Sequence, residues 1–169
     1  MFWLGLDLQW AYADLLPGIY RQTRCTHLAQ DILHDAFVRF AFIRDRQKID
    51  QPHAYLRTVV RNVLTDKYRE MSRFMPLPAD PNEQDEILLT EEQTTPSPEK
   101  LAEIQQRLQA LQNIIDCLPP RCREVFWLYR IDGLTQAEVS TRLNISLNMV
   151  ERHIMRALVD LRAARDLMI

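Results

Sequence analysis

Glycine is scarce: the 169 residues contain three, Gly5, Gly18 and Gly133. A loop that cradles phosphate on its backbone N–H groups needs several glycines close together, so no such loop is expected. Cysteine is equally scarce. Cys117 and Cys122 lie five apart with no histidine close by in the chain, and Cys25 stands alone. They read as buried or incidental thiols in a reducing cytoplasm. His27, His34 and His53 fall on different turns without a converging pair of acids, so no metal ligands are expected. No Ser/His/Asp arrangement is visible, and neither an enzymatic site nor a cofactor is expected. No apolar run approaches the roughly 20 residues a membrane span needs. Residues 1–10 lack the basic flank and apolar core of a secretory signal. A soluble, cytoplasmic protein without membrane insertion is expected.

A large excess of charge is missing too, since the net value is −2, but its distribution is uneven. Residues 1–73 carry eleven bases and eight acids, and residues 100–169 carry ten bases and eight acids. Between them, residues 74–99 hold seven acids and no base. Residues 74–98 also contain five of the nine prolines, no glycine and no hydrophobic period. They predict an extended linker, in which 87–89 (Ile-Leu-Leu) can dock locally. The fold expected is all-α: two small helical domains, 1–73 and 99–169, joined by the acidic, proline-rich linker 74–98.

The most informative stretch is 118–161. Thr135-Gln136-Ala137-Glu138 has the form of a capping box, in which the threonine hydroxyl accepts from the third helical N–H and the glutamate reaches back. Gly133 is placed to stop the preceding helix. A short helix over 136–143, a tight turn at 144–146 with Ser146 as N-cap, and a longer helix from 147 to about 162 follow. Val139, Leu143, Ile145, Val150, Ile154 and Leu158 supply an inner face at helical spacing. Asn148, Glu151, Arg152, Met155 and Arg156 form the outer face. A short helix, a turn and a second helix with a polar, basic leading face suit a reader of the DNA major groove. An ordinary helical hairpin with a solvated face has the same pattern.

Further motifs lie upstream. Residues 9–24 read as a helix with Pro17-Gly18 inside it, where a bend or break is expected. Leu28, Ile32, Ala36, Phe37 and Phe40 repeat at three and four over 27–42. The polar run 44–53 is a loop ending at a proline. Over 53–72, Tyr55, Leu56, Val59, Val60, Val63 and Leu64 make a wide apolar stripe, opposite a cationic track of Arg57, Arg61, Lys67, Arg69 and Arg73. Ser97-Pro98-Glu99 restarts helix, with Leu101, Ile104, Leu108, Leu111, Ile114 and Ile115 on its core face.

Leu118-Pro119-Pro120-Arg121, Arg123-Glu124-Val125-Phe126, Gly133-Leu134-Thr135, Glu138-Val139, Ser146, Val150-Glu151 and Arg156-Ala157 together resemble region four of bacterial sigma factors. The resemblance is to the extracytoplasmic-function (ECF) group of the sigma-70 family. The run 150–154 (Val-Glu-Arg-His-Ile) looks most like its iron-starvation, ferric-citrate-type branch. Residues 31–39 and the runs 54–56 and 60–62 resemble region two of the same group, with His34 where glutamine is usual, Tyr55 for tryptophan and Val60 for alanine.

The resemblance implies a subunit that binds core RNA polymerase and directs promoter-specific initiation, through a cytoplasmic bacterial protein. By it, Asp31, His34, Asp35, Val38 and Arg39 dock on the β′ clamp helices, and region four meets the β flap. The loop with Arg44, Lys48, Asp50 and Gln51, and the helix with Arg57, Arg61 and Lys67, hold the melted minus-ten element, including a flipped base. Asn148, Glu151, Arg152, Met155 and Arg156 read the minus-thirty-five element as duplex. The branch also implies a membrane-anchored anti-sigma regulator and target genes for iron and siderophore uptake. A stand-alone helix-turn-helix regulator shares the capped hairpin, but needs neither the docking helix nor the acidic linker.

Overall fold

The computed structural model describes residues 1–74 and 95–167. Most of the expected linker, including residues 87–89, therefore lies outside the described residues. The chain divides into two compact units, Met1–Phe40 with Asp45–Gln105 and Ala41–Arg44 with Gln106–Ile169.

The first unit begins with a feature absent from the expectations above. Strands β1 (Phe2–Trp3) and β2 (Leu6–Asp7) pair antiparallel, Phe2 opposite Asp7 and Trp3 opposite Leu6. Leu4 and Gly5 join them with φ of 50° and 80°. A two-residue turn with both φ positive matches the natural twist of a hairpin, and glycine at its second position relieves half the strain. The hairpin tucks Trp3 and Leu6 inward until 1% and 0% of their surface remains exposed. Trp3 meets Phe37 edge-on at 6.0 Å and Phe40 at 6.1 Å between ring centres.

The next stretch is helical from Leu8 to Thr23, and Pro17 neither breaks nor ends it. It starts as α1 (Leu8–Trp10), widens into a π turn (Ala11–Leu15) and continues as α2 (Leu16–Thr23). In the π turn the Leu16 N–H reaches back to the Ala11 carbonyl. Pro17, with no N–H to donate, then falls in the first turn of a fresh α segment, where its ring is tolerated. The α2 helix ends at Arg24 in the left-handed conformation, φ 54°.

Helix α3 (Thr26–Ala41) buries Ile32, Ala36, Phe37 and Phe40 of the three-and-four repeat read from the sequence, leaves Leu28 half-buried, and buries Ala29 and Leu33 in addition. Helix α4 (Pro52–Phe74) buries Leu56, Val60, Val63 and Leu64. Tyr55 stays 41% exposed and covers Phe40 edge-on at 6.0 Å. Between α3 and α4 the expected loop contains one 3₁₀ turn, Arg46–Lys48.

Helix α5 (Pro98–Cys117) starts at the expected cap, with the Lys100 N–H donating to Ser97 Oγ at 3.3 Å. Helix α6 (Pro120–Phe126) runs into a second π turn, Trp127–Ile131. Gly133 at φ 70° turns the chain out. Helices α7 (Gln136–Leu143) and α8 (Leu147–Leu167) complete the second unit. Its core gathers Val125, Leu128, Val139, Val150 and Ile154, with Leu134, Leu143 and Ile145 packed against them half-buried. Leu158 departs from the expected inner face. It is 47% exposed, and Ala157 is buried in its place. From Val150 and Ile154 the next inward step of a 3.6-residue period falls at 157, and a small side chain there lets the helices approach closely.

Candidate nucleic-acid interface

The helical hairpin of the second unit is built by its caps. Thr135 Oγ1 accepts from the Glu138 N–H at 3.2 Å, and Glu138 Oε2 accepts from the Thr135 N–H at 2.7 Å. The Thr135 N–H and, at 2.9 Å, the Thr135 hydroxyl both donate to Glu138 Oε2 and hold its carboxyl below the usual glutamate range. The box is therefore intact at neutral pH and is lost as pH falls through that lowered value. Asn144, left-handed at φ 52°, closes α7, and the Met149 N–H donates to Ser146 Oγ at 3.2 Å to open α8. Replacing Thr135 by alanine is expected to cost about 1 kcal/mol, read as a fall in thermal midpoint with the folded spectrum unchanged.

This geometry leaves Asn148, Glu151, Arg152, Met155 and Arg156 all exposed on α8. Arg156 approaches Asp160 at 3.7 Å on the surface, a contact too solvated to restrain it. On the opposite side α8 is tied to α6. Cys122 Sγ lies 3.1 Å from His153 Nδ1. Burial raises the Cys122 thiol above its ordinary value, so it stays protonated. The sequence reading left Cys122 without a histidine; the fold supplies one from 31 positions away, a separation with no local signal. Among the described residues no three potential ligands converge on a metal.

The first unit offers two hollows along α4. One, of about 440 Å³, is lined by Trp10, Asp50, Gln51, Pro52, His53, Ala54 and Arg57. Its back wall is organised around Trp10, which meets His53 edge-on at 4.4 Å and carries the Arg57 guanidinium 5.3 Å above its ring. His53 Nε2 accepts from the Asp7 N–H at 3.2 Å. Arg57 is further fixed by Asp14 at 2.7 Å. The second hollow, about 520 Å³, has an apolar floor of Leu15, Ile19, Val60 and Leu64 beneath Arg57, Arg61, Thr65 and Tyr68. An aromatic wall, hydrogen-bonding groups and two arginines are a set suited to unpaired bases and their phosphates.

Of the residues read as minus-ten contacts, Asp50, Gln51, Arg57 and Arg61 thus line these hollows. Lys48 instead pairs with Asp45 at 3.0 Å and Lys67 with Glu70 at 3.4 Å, both off the hollows. Arg44 belongs to the second unit, where it donates to the Pro120 carbonyl at 3.3 Å and faces Glu124 at 3.6 Å. Trp10 and Asp14 were read only as part of a helix; nothing local marks them, because their partners come from α4.

Asp31, His34, Asp35, Val38 and Arg39 are all on α3. Asp31 and His34 are exposed, and Asp35, Val38 and Arg39 half-buried. Arg39 is committed within the fold, donating to Asp66 at 2.8 Å and approaching Asp35 at 3.5 Å. It ties α3 to α4. His34 Nε2 lies 2.9 Å from the Tyr12 hydroxyl.

Family comparison matches residues 12–74 to sigma-70 region 2 and residues 108–161 to sigma-70 region 4. The chain is similar to the ferric citrate uptake sigma factor FecI of Escherichia coli K12, 28% identical over 85% of this chain and 79% of that protein. It is also similar to the ECF RNA polymerase sigma factor SigE of Mycolicibacterium smegmatis, 27% identical over 85% of this chain and 54% of that one.

Proposed function

The chain belongs to the sigma-70 family, and from that premise we propose how its parts serve core RNA polymerase and promoter DNA. It is an ECF-type sigma factor, a non-enzymatic subunit that confers promoter choice. Asp31, His34, Asp35 and Val38 face the β′ clamp helices, while Arg39 shapes that face from within. Asp50, Gln51, Arg57 and Arg61 hold the melted minus-ten strand. Asn148, Glu151, Arg152, Met155 and Arg156 enter the major groove of the minus-thirty-five element. The domains are 1–73 and 99–169, with 74–98 as linker and region four against the β flap. The name of the E. coli relative, a ferric citrate uptake sigma factor, supports iron uptake genes as targets; siderophore uptake genes among those targets, a membrane-anchored anti-sigma regulator and a cytoplasmic place of action belong to the same proposal.

The observation that carries this reading is the capped hairpin. Its turn and both caps are formed, and among the described residues they leave the α8 face bare of partners beyond one surface ion pair. Run-off transcription with purified core polymerase and a pool of promoters tests it. Promoter-selective transcripts that need this chain are the expected result. Duplex binding by the chain alone without binding to core is the outcome that favours a stand-alone regulator. In the same assay Arg152→Ala is expected to relax minus-thirty-five preference by about 1–3 kcal/mol per discriminated base pair. Unchanged selectivity across promoter variants removes Arg152 from the reading head.

A further inference from the structure

We propose that Tyr12 is a positioning residue: it pins one nitrogen of His34 and so makes the exposed imidazole on α3 a hydrogen-bond donor to the docking partner. The inference rests on the docking role of α3 proposed above and adds to it a residue on a different element.

Tyr12 lies in the π turn of the first helical stretch and is 3% exposed. Its hydroxyl sits 2.9 Å from His34 Nε2. The His34 ring stacks on Phe37, with 6.5 Å between centres and 26° between planes, so its tilt is constrained as well. Two proton arrangements share this geometry. In one the phenol donates to the Nε2 lone pair and the ring proton sits on Nδ1. In the other Nε2–H donates to the phenol oxygen. The second leaves the phenolic hydrogen without an acceptor, because the hydroxyl has no other partner among the described residues. Orphaning a buried O–H is the costlier choice, so the first arrangement prevails.

Charge state agrees with geometry. Burial pushes the Tyr12 phenol up to about 12, so it keeps its proton. Burial also lowers His34, against a smaller opposing pull from Asp31, so the ring stays neutral at physiological pH. A neutral ring has one donor and one acceptor. With Nε2 used by Tyr12, the nitrogen left is Nδ1, which carries the proton and has no hydrogen-bond partner among the described residues. An approaching surface therefore meets one N–H on the exposed face of α3, near the carboxylate of Asp31. The matching partner group is an acceptor, a carbonyl or carboxylate oxygen.

The test has two arms on the full chain. In the first, long-range ¹H–¹⁵N spectra of ¹⁵N-histidine-labelled protein report the tautomer of each ring. The expected result is Nδ1–H for His34, shifting toward Nε2–H in Tyr12→Phe, which keeps the ring in the core and removes only the hydroxyl. An Nε2–H form in the unsubstituted protein overturns the proposal, as does a tautomer indifferent to Tyr12→Phe. In the second arm, affinity for core RNA polymerase is expected to fall about 3- to 10-fold in Tyr12→Phe. It is expected to recover when His34→Gln is added, since an amide donor needs no phenol to orient its proton. Equal core affinity in Tyr12→Phe overturns the positioning role. Absence of core binding by the unsubstituted chain sinks the docking reading itself, and that arm separates the two failures.

Discussion

Trp3→Ala is expected to destabilise the first unit by about 3–5 kcal/mol. The indole is 1% exposed and fills the space between the hairpin and two rings of α3, Phe37 and Phe40. Truncation removes those contacts and leaves a hole that rigid neighbours on α3 cannot close. Against the 5–15 kcal/mol typical of a whole domain, that loss is a large share. The indole Nε1 has no hydrogen-bond partner, so part of the tryptophan's burial already carries a desolvation cost. Trp3→Phe is therefore expected to lose much less than Trp3→Ala. Urea unfolding is the measurement: the midpoint should fall sharply for alanine with little change in slope. A shift below about 1 kcal/mol for alanine would mean the hairpin is not part of the core.

The largest functional effect is expected from reversing charge on the reading head. In Arg152→Glu with Arg156→Glu, both side chains are exposed and, among the described residues, only Arg156 has a side-chain partner, Asp160 at 3.7 Å. The fold should survive with little loss. Promoter-selective transcription should fall roughly 100-fold or more, since each lost base contact costs about 1–3 kcal/mol and the new carboxylates add repulsion from phosphate. Binding to core polymerase through α3 should stay unchanged, because α3 is untouched. The salt dependence of promoter binding separates roles: removing a phosphate contact lowers the slope by about one, whereas removing a base contact relaxes selectivity. Retained promoter selectivity in the double variant would move the reading face away from α8.

The helical hairpin was legible because its signals are local. Thr135, Glu138, Gly133 and Ser146 each act within a turn of their own position, and all four behave as read. The repeat on α3 was legible for the same reason. Three features were not. Pro17 read as a break because proline forbids the regular i to i−4 bond; a π turn upstream changes the register so that the forbidden bond is never required. The hairpin at 2–7 is too short to show a period, and its order comes from rings on α3. Leu158 read as core because spacing by four continues from Val150 and Ile154, whereas a real helix drifts and selects 157. Site residues divide along the same line. The α8 face follows from helix geometry alone, whereas Trp10, Asp14 and Tyr12 meet their partners only in side chains 22 to 47 positions away.

Those separations also bear on the order in which the molecule assembles. The α7–α8 hairpin closes across a three-residue turn, so its core pairs form at little loop-closure cost. Trp3 must wait for Phe37 and Phe40, which follow it by 34 and 37 positions. Contacts that distant slow folding and leave apolar surface open in the meantime. On the ribosome the hairpin is made well before its covering helix, so a nascent chain carries a bare indole until α3 has emerged. The largest fully buried side chain of the first unit is thus one that stays uncovered, and open to aggregation, during synthesis.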